Sequence, residues 1–275
     1  MYGVNGGHGD STPPNGDIVT VDQTTGAVTV LAPSGFPRLS GIGVLPNNTI
    51  YATTLGGGGF PPGPGFVTTS DLLKVALNGT VLSDVGTIHV ASAAGLTLPL
   101  ADLAVQPGTG TLYGISNDKT APGGPAAGGL YTINPNTAIA TLIGQTAYSF
   151  GSIAFAPDGT LYLVGATTVM GPPVNPQLAK VNPASGATVG TPVNLAAFYG
   201  AFGIRPTDNT FFVGNGDESQ IFTLNPTTGA VTALSSTTGT SFVGDLDFAV
   251  PEPGTFILVG LGLAAAAFAR RRLLS

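Results

Sequence analysis

Short runs of alternating apolar and polar residues, each closed by a turn, recur along the first 250 residues. Side chains on a strand point to opposite faces with period two, so the pattern predicts β-strands. The clearest recurrent element is an apolar-aromatic pair. It reads Met1-Tyr2-Gly3, Ile50-Tyr51-Ala52, Leu112-Tyr113-Gly114, Leu161-Tyr162-Leu163 and Phe211-Phe212-Val213, with aromatic steps of 49, 62, 49 and 50 residues. Turns precede the last four: LPNNT at 45–49, QPGTGT at 106–111, APDGT at 156–160 and RPTDNT at 205–210. Before each turn lies another alternating strand, at 41–45, 101–105, 152–156 and 201–204.

A second hairpin follows in every unit, at 17–31, 72–85, 130–143, 178–193 and 221–234. Its centre is typically Asn/Asp-(Pro)-x-Thr/Ser-Gly-Ala. Proline presets φ, the Asn or Asp side chain bonds the local backbone, and glycine takes positive φ. The flanks are rich in Val, Ile, Thr and Leu, as strands require.

Four short antiparallel strands per unit, at this period, predict the blades of a β-propeller. The repeat resembles the loose group of NHL-like bacterial propellers, without their diagnostic residues. Units two to five are complete, whereas unit one lacks its first strand. Residues 242–250, FVGDLDFAV, read as a lone first strand. Pairing it with residues 1–31 gives an all-β ring of about five four-stranded blades, closed by both chain ends. A ring of six or more blades in a longer chain is the alternative.

The last 26 residues, VPEPGTFILVGLGLAAAAFARRRLLS, abandon the alternation. Pro251-Glu252-Pro253 comes first, then an uncharged run over 255–269, then Arg270-Arg271-Arg272. Prolines end the preceding strand. The uncharged run is short of the roughly 20 residues of a full span. Snorkelling arginines and Leu273-Leu274 extend it, and the basic cluster is expected to stay cytoplasmic. A buried C-terminal helix is the bland alternative. This tail resembles the PEP-CTERM sorting signal of exported bacterial proteins. The resemblance implies an exosortase-type processing enzyme as partner, one transmembrane helix, transient residence in the inner membrane, and delivery to the cell surface or extracellular matrix. It also makes Pro251, Glu252 and Pro253 the recognition element and Arg270, Arg271 and Arg272 the topology determinant. Two domains follow: a propeller-like body over 1–249 and a sorting segment over 250–275. Such proteins begin with a cleavable leader. The opening MYGVNGGHGD reads as the inside of a domain, so the true start is expected upstream.

Composition narrows the function. Charged residues are 8% of the chain, against about 25% in ordinary soluble domains. Residues 1–250 carry 5 Lys/Arg against 13 Asp/Glu. With no basic patch, nucleic acid is not an expected partner. Cysteine is absent, which excludes disulfides and thiolate metal sites. His8 and His89 are far apart in sequence, and no metal or cofactor motif is present. Asp10, Asp118, Asp217 and Glu218 fall in loops between second and third strands; solvated acids are expected there, with calcium ligation the sharper alternative. Asp245 and Asp247 lie on one side of the lone strand, facing the channel or a neighbouring blade. A catalytic carboxylate pair is the less favoured reading, and no catalytic residue is assigned. Tyr51, Tyr113, Tyr162 and Phe212 read as blade core.

Gly/Pro-rich inserts between second and third strands, at 6–16, 56–70, 116–129 and 166–176, would all project from one face. Such a face suits carbohydrate or a surface protein. The expected function is that of an exported, surface-sorted, non-enzymatic protein with a cell-surface or exopolysaccharide-associated structural or binding role. The alternative is a secreted propeller hydrolase or lyase acting on carbohydrate or lactone.

Overall fold

The computed structural model describes residues 1–5, 16–36, 38–54, 69–92, 96–116, 128–148, 150–166, 175–215, 220–237 and 243–249. These residues form strands and turns without a helix. In chain order the first strands are β1 (Tyr2–Asn5), β2 (Asp17–Val21) and β3 (Val28–Pro33). The second unit holds β4 (Leu39–Val44), β5 (Ile50–Thr54), β6 (Asp71–Val75), β7 (Val81–Thr87) and a two-residue strand, β8 (His89–Val90). The third holds β9 (Leu100–Val105), β10 (Leu112–Ser116), β11 (Gly129–Ile133) and β12 (Ile139–Gln145). Next come β13 (Phe150–Phe155), β14 (Leu161–Ala166), β15 (Gln177–Val181) and β16 (Thr188–Asn194). The last are β17 (Ala201–Arg205), β18 (Thr210–Asn215), β19 (Gln220–Leu224), β20 (Val231–Thr237) and β21 (Val243–Asp247).

They assemble as five antiparallel sheets: β21-β1-β2-β3, β4-β5-β6-β7, β9-β10-β11-β12, β13-β14-β15-β16 and β17-β18-β19-β20. The first is built from both chain ends, as the sequence predicts. Tyr2 pairs with Asp247, Gly3 with Leu246, Val4 with Asp245, and Asn5, across a bulge, with Val243. The innermost strands pack in the order β4, β9, β13, β17, β21 and back to β4. Five blades and five interfaces make a closed five-bladed propeller.

Hydrophobic packing follows the same cycle. Each of five buried clusters fills one gap between neighbouring blades. Ile18 faces Ile42 and Leu73 between the first two blades. Phe202, Phe211 and Val164 fill the gap between the fourth and fifth, and Phe212, Val19 and Leu246 close the last. A blade is therefore covered on both faces near the axis. All residues of β4, β5 and β10 are buried, while no residue of β7 or β16 at the rim is fully buried.

The predicted turn chemistry is present. The Asn225 side-chain oxygen accepts from the Thr227 and Thr228 amides, and the Asp22 carboxylate does the same for Thr24 and Thr25. Gly229 then takes φ +74°. The turn also packs against the preceding blade: a Cβ on Gly229 would lie 2.2 Å from the Asn194 carbonyl oxygen. In the third blade Ala138 occupies the corresponding position at φ +55°.

One blade departs from the four-stranded expectation. β8 adds to the rim of the third blade, pairing in parallel with β12 through His89↔Ile139 and Val90↔Ala140. It lies in a long connector between the second and third blades, residues 88–99, which contributes to the 62-residue step in the aromatic spacing. The predicted C-terminal helix lies outside the described residues.

Strand direction fixes two faces. The turns between first and second strands and the hairpins between third and fourth emerge on one face. The connections between second and third strands emerge on the other. β21 runs toward the first of these, so residue 249 lies at the face opposite the strand ends that bound the long inserts. Gly229→Ala is expected to destabilise the full chain by about 2–4 kcal/mol, through positive φ and the backbone clash together. Denaturant unfolding checks this, with Ala138→Gly, which imposes no such clash, as the contrasting variant.

Candidate functional site

The five innermost strands align as GIGV at 41–44, DLAV at 102–105, SIAF at 152–155, AFGI at 201–204 and DLDF at 245–248. The leading position is therefore Gly41, Asp102, Ser152, Ala201 and Asp245. An innermost strand has a neighbour on one edge only. Every second amide on its other edge points toward the axis, away from water, and needs an acceptor.

Side chains at or near the leading position supply much of that need. Asp245 Oδ2 accepts from the Ile42 amide at 2.7 Å, joining the first blade to the second. Asp247 Oδ2 accepts from Val44 at 2.6 Å across the same gap. Asp102 Oδ2 accepts from Ile153 at 2.6 Å, joining third to fourth. Each carboxylate's other oxygen accepts from the following amide, Leu246, Phe248 and Leu103 respectively. Hydroxyls make the remaining links near the axis. Ser40 donates to the Leu100 carbonyl at 2.9 Å, from second to third blade. Ser152 donates to the Gly200 carbonyl, from fourth to fifth. The fifth blade reaches the first through Arg205, whose Nη1 donates to Gln23 at 3.0 Å. Asp208 grips the same guanidinium at 2.7 and 2.8 Å, and it lies over the Phe212 ring at 5.3 Å.

Asp102 and Asp245 are both 0% exposed. Their carboxyl groups also interact directly with one another, although they belong to the third and first blades. Gly41 of the intervening blade makes this possible, since a Cβ there would sit 2.7 Å from the Leu103 nitrogen and 2.9 Å from the Asp102 Cα. Burial pushes Asp102 up to about 7. Burial, followed by the Asp102 charge, pushes Asp245 well above the carboxylate range. Half-buried Asp247 is also raised by desolvation, to about 7. By contrast, hydrogen bonding from Arg205 holds exposed Asp208 well below its ordinary value.

Of the acids considered in the sequence, Asp245 and Asp247 thus face a neighbouring blade and bond its backbone. Asp102 escaped notice, although aligning DLAV with DLDF would have placed it level with Asp245. Tyr51, Tyr113 and Phe212 are buried core as expected. Tyr162 is only half-buried: it packs edge-on to Phe211 and lies under Lys180 Nζ at 5.8 Å. These two residues line a shallow recess of about 150 Å³ with Leu178, Val193 and Pro226. His89 is exposed on β8. His8, Asp10, Asp118, Asp217, Glu218 and the four inserts lie wholly or almost wholly outside the described residues. So do Pro251, Glu252, Pro253 and Arg270–Arg272.

Those last six residues fall within a match to a protein-family model over residues 249–272, described as the PEP-CTERM protein-sorting motif. The chain carries a PEP-CTERM sorting motif. The motif implies export, exosortase processing in general and sorting to the cell surface. No curated protein matches the chain in sequence. Among solved structures, it is similar to a chain of a nidogen/laminin complex, with TM-score 0.50 and 11% identity, covering 91% of this chain and 98% of that one. A protein of unknown function from Dyadobacter fermentans gives TM-score 0.55 and 12% identity, covering 88% and 79%. TolB from Acinetobacter baumannii gives TM-score 0.51 and 12% identity, covering 85% and 52%. At such identities the likeness is one of fold.

Asp102→Ala leaves the Ile153 and Leu103 amides buried without an acceptor. It is expected to cost about 2–5 kcal/mol, and Asp102→Asn less, because one acceptor oxygen remains. Gly41→Ala should destabilise comparably by separating Asp102 from Asp245. Chemical denaturation of the three full-length variants provides the comparison.

Proposed function

We propose that the chain is an exported, surface-sorted, non-enzymatic protein with a structural or binding role at the cell surface or in the exopolysaccharide matrix. The observation that carries this reading is the bonding of the axial acids. Catalytic carboxylates need access to a substrate and a free oxygen to exchange a proton with it. Asp102 and Asp245 are fully buried and, with Asp247, place both oxygens on backbone amides of the ring. The most perturbed acids thereby act as ties between blades.

The sorting motif gives the processing partner, an exosortase-type enzyme that recognises Pro251, Glu252 and Pro253. The uncharged run passes through the inner membrane as a helix, with Arg270–Arg272 holding its topology. Because the tail leaves the ring opposite the long inserts, the inserts face away from the membrane while the tail is embedded. That orientation suits them to meet carbohydrate or another surface protein.

Glu252→Ala is expected to accumulate as an unprocessed, membrane-bound precursor in a host with an exosortase, read as a mobility shift in the membrane fraction. Normal processing of the variant counts against the motif's role. Deleting residues 250–275 should leave a folded, soluble body that is no longer retained at the surface. The purified full chain should be inert toward glycoside, polysaccharide-lyase and lactone substrates. Turnover lost on substitution of one residue would replace this reading with that of a secreted hydrolase or lyase.

A further inference from the structure

We propose that Asp102 and Asp245 form a proton-sharing lock across the propeller axis, so that closure of the ring is tied to retention of one proton. Asp245 bonds the Ile42 amide while Asp102 packs against the adjacent Gly41, which brings the two acids together. Two carboxyl groups in such contact need a proton between them, because two carboxylates are both acceptors. Both groups are fully buried, where two adjacent negative charges cannot both persist. The pair joins the first and third blades directly. Its outer bonds, to Ile42 and Ile153, carry the link to the second and fourth. One proton thus sits at the junction of four of the five blades.

Among the described residues no cation replaces it. The elements packed against β21 and β9 are β1, β4, β5, β10, β13, β17 and β18. Their ionisable side chains are Tyr2 on β1, Tyr51 on β5, Tyr113 on β10 and Arg205 on β17, with Arg38 just before β4. Arg205 is held by Asp208 and Gln23. Burial raises Tyr51 and Tyr113, keeping both neutral. Asp247, on β21 itself, adds a charge that further opposes ionisation of Asp102.

The consequence for stability has a definite sign. Unfolded aspartates release their protons near pH 4, whereas the folded pair holds one well above that. Folding stability from the lock is complete below about pH 4 and declines as pH rises through the folded values. Asp102 is raised to about 7 and Asp245 well above its ordinary value. Asp247, also raised to about 7, acts in the same direction. The ring is tightest in mildly acidic surroundings and loosens in alkaline ones.

Two readouts on the full chain test this. The thermal midpoint should fall steadily from pH 5 to pH 8.5. Asp245→Asn mimics the protonated acid, offering an oxygen to Ile42 and an amide proton to Asp102. It should flatten at least half of that fall and exceed the wild type in midpoint at pH 8.5. Exposed Asp84→Asn should leave the fall unchanged. Independently, infrared spectroscopy at pH 8, above the Asp247 range, should detect a protonated aspartic carboxyl in the wild type. The band should vanish in Asp102→Asn and in Asp245→Asn. The wild-type spectrum decides even where a variant fails to fold. A midpoint that is flat or rises with pH, an undiminished fall in Asp245→Asn, or no protonated carboxyl in the wild type overturns the lock.

Discussion

A propeller depends on satisfying the inner edges of its blades. Each innermost strand turns a row of amides toward an axis where water is scarce, and an unmet buried amide costs about 1–3 kcal/mol. In this protein short acidic and hydroxyl side chains tie neighbouring blades at those edges. The same bonds that satisfy the amides also set blade spacing. Asp245 on Ile42 and Asp102 on Ile153 do so with carboxylates, whereas Ser40 and Ser152 use hydroxyls on carbonyls. Small residues, Gly41, Ser152 and Ala201, share one structural level with Asp102 and Asp245: where the two carboxyl groups meet, the strand between them carries Gly41.

The sparse charge of the chain also follows from the ring. Inner strands are covered on both faces by adjacent blades, so neither face can carry solvated side chains. Among the described strands exposure returns mainly at β3, β7, β12, β16 and β20, where Thr and Ser take much of the surface. The few charged side chains are used locally. Asp22 and Asp158 organise turns, and Arg205 bridges the final blade to the first.

Much of the ring was legible in the sequence because its signals are local. Period-two alternation marked the strands, Asn-Pro-x-Thr-Gly marked the hairpins, and the unpaired 242–250 segment announced closure with the N-terminus. The meeting of Asp102 with Asp245 was not legible in this way. It joins residues far apart in the chain, and it rests on the distance between alternate blades, which no local pattern encodes. The position of β8 was hidden for a related reason. His89–Val90 looks like the tail of its own hairpin, and only the neighbouring rim of β12 makes it a strand. Tyr162 shows the limit of repeat logic: it shares a register with Tyr51 and Tyr113, yet its blade leaves it half-open beside Lys180.

The closing strand has a mechanical meaning as well. The sorting segment joins the body just beyond β21, so any pull exerted through that segment is delivered to that strand. Pulled along its length, β21 strains its ladder to β1 and its ties to β4 together, as a lap joint resists shear. Pulled sideways, the ladder gives way in sequence, starting at the Tyr2↔Asp247 end. The body's resistance to extraction therefore depends on the angle at which its tether leaves the ring.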